Sequence, residues 1–138
     1  FLLALLIGAI IPAISEEFLF RGFGQRSLEE KNTVFFAVMV TGTLFGIIHF
    51  NFINLLPLIL IGIFLGYLAY FSKSILVPIF IHFLNNAFSI LLFYLDNQST
   101  TTDTKLDLLT SSIYTFVGLI GVLTMIKFLF RSENSKNE

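Results

Sequence analysis

Glu16-Glu17-Phe18-Leu19-Phe20-Arg21 places two acids and a guanidinium at the end of a run, residues 1 to about 23, that is otherwise almost wholly apolar. On insertion scales an ionisable side chain at the centre of a membrane helix costs about 2.5–3.5 kcal/mol. Three of them within six residues either lie outside the membrane or face one another inside it. Two further ionisable groups sit well inside apolar segments, His49 and His82. The chain reads as organised around bringing those two histidines to the acidic pair.

The composition sets the surroundings. Of 138 residues, 56% are hydrophobic and only 12% charged, and the mean hydropathy is +0.89. A soluble domain carries about 25% charged residues, so this chain lacks the polar surface to cover a water-soluble globule. The expected fold is an all-α polytopic bundle of transmembrane helices in the cell membrane, with lipid as its surroundings. A net charge of −1 argues against a nucleic-acid partner. The absence of cysteine removes disulfides, thiolate metal sites, a cysteine nucleophile and lipidation of this chain through cysteine. The chain opens on Phe1, not methionine, so further helices upstream are expected. The opening apolar run has no basic start and continues past residue 12, unlike a signal peptide.

Five apolar segments follow in order: residues 1–23, 33–50, 55–71, 75–95 and 106–130. The second, at about 18 residues, is at the lower limit for crossing a bilayer. Pro12 can kink the first segment one turn before the acids, whereas Pro57 and Pro78 fall in first turns, where proline is tolerated. Residues 25–32 read as an amphipathic extension of the first helix and a turn, and 72–74 as a tight turn. Residues 1–95 would form the catalytic core. Residues 96–138 would add a polar loop, a fifth helix without ionisable groups from 108 to 126, and a solvated tail. With five spans, Arg26, Lys31, Lys73, Lys127, Arg131 and Lys136 fall on one side and Lys105 on the other. The positive-inside rule then places the C-terminus in the cytoplasm. Gly42, Gly46, Gly62 and Gly66 give small-residue spacing suited to close helix packing.

Positions four apart share a helix face. Glu17 and Arg21 are therefore expected to pair, while Glu16, about 100° round the helix, points elsewhere without a local cation and has the chemistry of a general base. His82 and Asn86 project together, Asn85 does not, and Phe45 lies one turn before His49 on the same face. A carboxylate and an imidazole can activate water; imidazole and amide N–H groups can stabilise an oxyanion. For the three polar levels to meet, the first helix has to continue to about residue 30. Each feature also has a plain structural reading: a salt bridge at a helix end, an interfacial acid, an interfacial histidine, and an interhelical hydrogen bond that glues the bundle.

Taken together, Glu16-Glu17-x-x-x-Arg21, Phe45-x-x-x-His49 and His82-x-x-x-Asn86 resemble the three signatures of the CPBP (Abi) family of intramembrane proteases. That family includes the type II CAAX prenyl endopeptidases and bacteriocin-processing or immunity proteins. The resemblance covers about residues 10–95. It implies that Glu16 and His49 position and activate water, that His82 and Asn86 form the oxyanion site, and that Glu17 with Arg21 supports the site or binds substrate. It leaves open whether a metal is used. Zinc is the candidate cofactor, with Glu16, His49 and His82 as its ligands by residue type, and a metal-free glutamate mechanism is the other option. No HExxH, GxSxG or GxGD motif is present. The expected function is an intramembrane endopeptidase acting on a membrane-associated peptide or protein, such as a prenylated CAAX-type tail or a leader peptide. The alternatives are a non-catalytic scaffold or immunity protein and, behind it, a small transporter or proton relay.

Overall fold

In a computed structural model the structure describes residues 1–96. The chain divides into one unit of Phe1–Gln98 and another of Ser99–Glu138, and the described residues all belong to the first. From residue 97 onward the expected polar loop, fifth span and tail lie outside the described residues. The described residues are helical, with no strand among them: α1 (Leu2–Glu29), α2 (Val34–Ile48), α3 (Leu55–Ser72) and α4 (Leu76–Asp96). Three of these, α1, α3 and α4, are long and apolar enough to cross a membrane.

The expectation for the second segment is corrected. Its helix has 15 residues, about 22 Å of rise, against about 30 Å of bilayer hydrocarbon. Thr33 starts it, with Oγ1 accepting from Phe36 N–H at 3.3 Å. It ends at His49, and Phe50 follows in the left-handed region, φ 49°.

The first helix runs through residues 25–29, as the depth argument requires. It is not uniformly α-helical. Wider π turns occupy Leu6–Ile10 and Phe18–Gln25, with α turns over Ile11–Glu17 between them. The first π turn lies just before Pro12, whose ring would collide with the carbonyl four residues back in an unperturbed helix. Together the π turns straighten a buried stripe. Ala9, Ala13, Glu17, Arg21 and Gln25, each four residues from the last, are all at most 2% exposed. On an ideal α-helix a four-residue step overshoots a turn by about 40°, so five such residues would wind through about 160°. Turns that hold more residues reduce that drift and keep the whole stripe facing the bundle.

Antiparallel neighbours flank this stripe. α4 runs back along α1, with Phe1 and Tyr94 rings 5.3 Å apart at one end and Ile75 beside Gly22 at the other. α2 and α3 form the tightest pair, built on the expected glycines. A Cβ added at Gly62 would lie 2.7 Å from the Gly42 carbonyl oxygen and 2.9 Å from its Cα. A Cβ at Gly24 would meet nothing closer than 3.4 Å. Gly62→Ala is therefore expected to lower stability by about 1–3 kcal/mol through overpacking, whereas Gly24→Ala should be neutral or slightly stabilising through helix propensity. Thermal unfolding of the two variants in detergent, side by side, checks this.

Candidate active site

The glycine contacts let the α3 backbone come within reach of α1. Arg21 Nη2 donates to the Gly62 carbonyl at 2.5 Å, and Gln25 Nε2 donates to the Gly66 carbonyl at 3.0 Å. Two donors four apart on α1 thus meet two acceptors four apart on α3. The guanidinium also lies over the Phe45 ring, 4.9 Å from its centroid, a cation–π contact in a desolvated setting.

So anchored, Arg21 holds the Glu17 carboxylate. Nη1 donates to Glu17 Oε1 at 2.8 Å, with both side chains essentially buried. The same oxygen lies 2.9 Å from His82 Nδ1. A carboxylate paired with a guanidinium only accepts, so Nδ1–H of His82 is the donor and Nε2 is left as the outward atom. His49 is fixed the same way by a different partner: its Nδ1 lies 2.6 Å from the Phe45 carbonyl, which can only accept. Its Nε2 is therefore also turned outward.

Both outward nitrogens face Glu16. Its Oε2 lies 3.7 Å from His49 Nε2 and 3.9 Å from His82 Nε2, and it makes no hydrogen bond of its own. Three acceptor atoms facing one another repel unless a donor sits between them: a proton on one imidazole, a water, or a cation. His49 and Glu16 keep 30% and 23% of their side-chain surface exposed, His82 only 4%. The cluster is closed on its Glu17 side and open on its Glu16 side. Phe45, 1% exposed, packs between the parts, with ring centroids 4.8 Å from His49, 5.5 Å from His82 and 5.4 Å from Phe20.

Of the six expected residues, Glu16, Glu17, Arg21, His49 and His82 come together. Asn86 does not bond to them. It is half-buried on the His82 side of α4, and its Oδ1 accepts from Asn85 Nδ2 at 3.4 Å. The residue types of Glu16, His49 and His82 suit a divalent cation, yet among the described residues no three His, Asp or Glu side chains are drawn together closely enough to hold one. Gln25, read from the sequence as the first residue of an amphipathic extension, is buried. Its four-residue spacing from Arg21 was the available signal.

The model of the family described as "Type II CAAX prenyl endopeptidase Rce1-like" matches residues 1–88. The chain is 34% identical over 104 residues to a Bacillus subtilis (strain 168) protein named "Putative membrane peptidase YdiL". That alignment takes in 71% of this chain and 43% of the relative, so the chain spans less than half of the curated relative's length. No solved structure matches. The apolar helices and these likenesses together place the protein in a membrane.

The two adjacent acids should respond differently to neutralisation. Glu17→Gln leaves the buried Arg21 without its counter-charge and is expected to cost about 3–5 kcal/mol. Glu16→Gln, on the open side of the cluster and facing the imidazoles at 3.7 and 3.9 Å without a hydrogen bond, should change stability by less than about 1 kcal/mol. Denaturation of the detergent-solubilised variants measures both.

Proposed function

The chain belongs to the Rce1-like family of type II CAAX prenyl endopeptidases, and from that premise we propose that it is a membrane-embedded endopeptidase in which Glu16 activates water. The observation that carries this reading is the facing set of three acceptors, Glu16 Oε2, His49 Nε2 and His82 Nε2, on the open side of the cluster. A water there can donate to two acceptors while its oxygen remains free to attack.

In this reading Glu16 takes a proton from the water as the oxygen bonds to the scissile carbonyl carbon. His49 orients the water through its Nε2, its ring held by the Phe45 carbonyl. The carbonyl oxygen becomes an oxyanion. Once His82 has taken up a proton from solvent at Nε2, ceasing to be one of the acceptors, it donates to the oxyanion, and the Glu17 carboxylate at Nδ1 stabilises the imidazolium. Arg21 holds Glu17 in place for that task through its Nη1–H. Asn86 joins as a second donor once its side chain turns from Asn85. The proton on Glu16 then passes to the leaving nitrogen as the C–N bond breaks. The family description favours a prenylated CAAX-type tail as substrate, with a peptide leader as the other option. A metal-dependent version would need Glu16, His49 and His82 to draw closer together than they stand here to serve as ligands. Such an ion would polarise the carbonyl and the water.

The test uses purified protein in proteoliposomes and a fluorogenic peptide ending in a farnesylated CAAX sequence. Glu16→Gln, His49→Ala and His82→Ala should each slow cleavage by about 100-fold or more, with membrane insertion intact. Cleavage at the unaltered rate by all three variants rejects the proposal. Inhibition by 1,10-phenanthroline that added zinc reverses assigns the metal-dependent version; insensitivity assigns the glutamate version.

A further inference from the structure

The end of α2 departs from regular helix geometry at a residue outside the three signatures. Phe50 has φ 49°, in the left-handed region that glycine enters freely and bulky residues seldom enter. It is 80% exposed, so packing within the chain does not offset that conformation. The conformation closes the helix. The N–H of His49 bonds the Gly46 carbonyl at 3.4 Å and that of Phe50 bonds the Ile47 carbonyl at 3.1 Å, each three residues back. This is the tightened ending that a left-handed residue permits. Asn51 fixes the exit: its Oδ1 accepts from the Asn54 N–H at 3.1 Å, and α3 starts at Leu55.

Two consequences reach the site. With the His49 N–H turned to Gly46, the Phe45 carbonyl is open to the His49 side chain, whose Nδ1 lies 2.6 Å from it. That bond puts the proton on Nδ1 and leaves Nε2 bare toward Glu16 Oε2, 3.7 Å away. The second consequence is clearance. On a continuing helix Phe52 and Ile53, three and four residues on, would share the His49 face. Helical side chains lean back over the preceding turn, so these two would cover the imidazole. The chain leaves the helix at Phe50 and they do not: Phe52 is 82% and Ile53 94% exposed, and the His49 side chain keeps 30% of its surface.

We propose that Phe50 is a positioning residue that acts through its backbone. By ending α2 in the left-handed region it gives the Phe45 carbonyl to His49 Nδ1–H and keeps the open side of the cluster uncovered. Its ring takes no part in this, and it acts on the proposed cleavage only through His49. The residue types that suit position 50 then follow from φ and not from bulk. Glycine suits it. A β-branched residue, for which positive φ is a genuine outlier, does not.

The kinetic half of the test rests on the endopeptidase reading; the spectroscopic half does not. The chain's histidines are His49 and His82, so protein labelled with ¹⁵N-histidine gives few ring signals, and His82→Asn assigns those of His49. At pH about 9, above the usual imidazole range, the ring ¹⁵N shifts report which nitrogen carries the proton. In the unaltered protein His49 should be the Nδ1–H tautomer. Phe50→Gly should keep that tautomer, raise the melting temperature, and hold kcat in the peptide assay within about 2-fold. Phe50→Val should give the mixed tautomers of an unheld ring. It should also lower kcat by about 10- to 100-fold with KM changed less than about 2-fold, as expected when a reacting group is misplaced by up to an ångström. Should Phe50→Val not fold, the unaltered protein and Phe50→Gly still decide. Mixed tautomers or Nε2–H on His49 in the unaltered protein overturn the proposal. So does a loss of kcat in Phe50→Gly, which would assign the role to the ring, or a lowered melting temperature as the only effect of Phe50→Val. The expected tautomers in a protein that cleaves no probe would sink the endopeptidase reading and support the backbone role of Phe50 on its own.

Discussion

The structure depends on one carboxylate oxygen. Glu17 Oε1 takes a hydrogen bond from Arg21 and another from His82, at a position with no solvent exposure. A lone carboxylate there would be prohibitively costly to desolvate. Paired, it turns a cost into a geometric constraint. The guanidinium has to stand on the α3 side of Glu17 and the imidazole on the α4 side, so three helices are drawn to one point. Removing either partner leaves an uncompensated buried charge or dipole, which makes this point more specifying than the apolar contacts around it.

The glycines belong to the same constraint. A helix carbonyl already bonded within its own helix is an easy acceptor only if a donor can get close to the backbone. Gly62 and Gly66 strip the side chains from that stretch of α3, so α2 packs against its backbone and Arg21 and Gln25 approach its carbonyls. Close packing and the polar anchorage of α1 are thus one arrangement viewed from two sides.

Much of this was legible in the residues. Four-residue spacing paired Glu17 with Arg21 and turned Glu16 away from that pair, and the rise per residue required a first helix long enough to carry the acids to the depth of both histidines. Other features were hidden because they depend on backbone departures with no strong sequence mark. The π turns in α1 keep residues as far apart as Ala9 and Gln25 on one buried face, which ideal turns would have wound apart. Asn86 shares a helix face with His82, but sharing a face fixes direction and not reach, and its amide turns to Asn85. The length of α2 was misjudged because hydropathy continues through His49 and Phe50 while the helix stops. An apolar window reports that a segment suits lipid, not where its hydrogen-bonded turns end.

That early stop gives the site its shape. Starting from the turn after α1, α2 rises about 22 Å in its 15 residues. Glu16 lies 13 residues back from Glu29, the end of α1, about 20 Å along the same direction. His49 at the end of α2 therefore arrives at the level of Glu16, where a helix long enough to span would have carried the chain past it. Ending there also leaves His49 partly exposed beside Glu16, while His82, in the interior of a longer helix, stays buried against Glu17. Two neighbouring acids on one helix thus meet two histidines in opposite settings. The inner pair is hydrogen-bonded and dry; the outer pair, 3.7 Å apart, is not hydrogen-bonded to one another and is partly open. A short helix beside long ones thus sets a buried and a partly exposed acid–histidine pair within a few ångströms of each other.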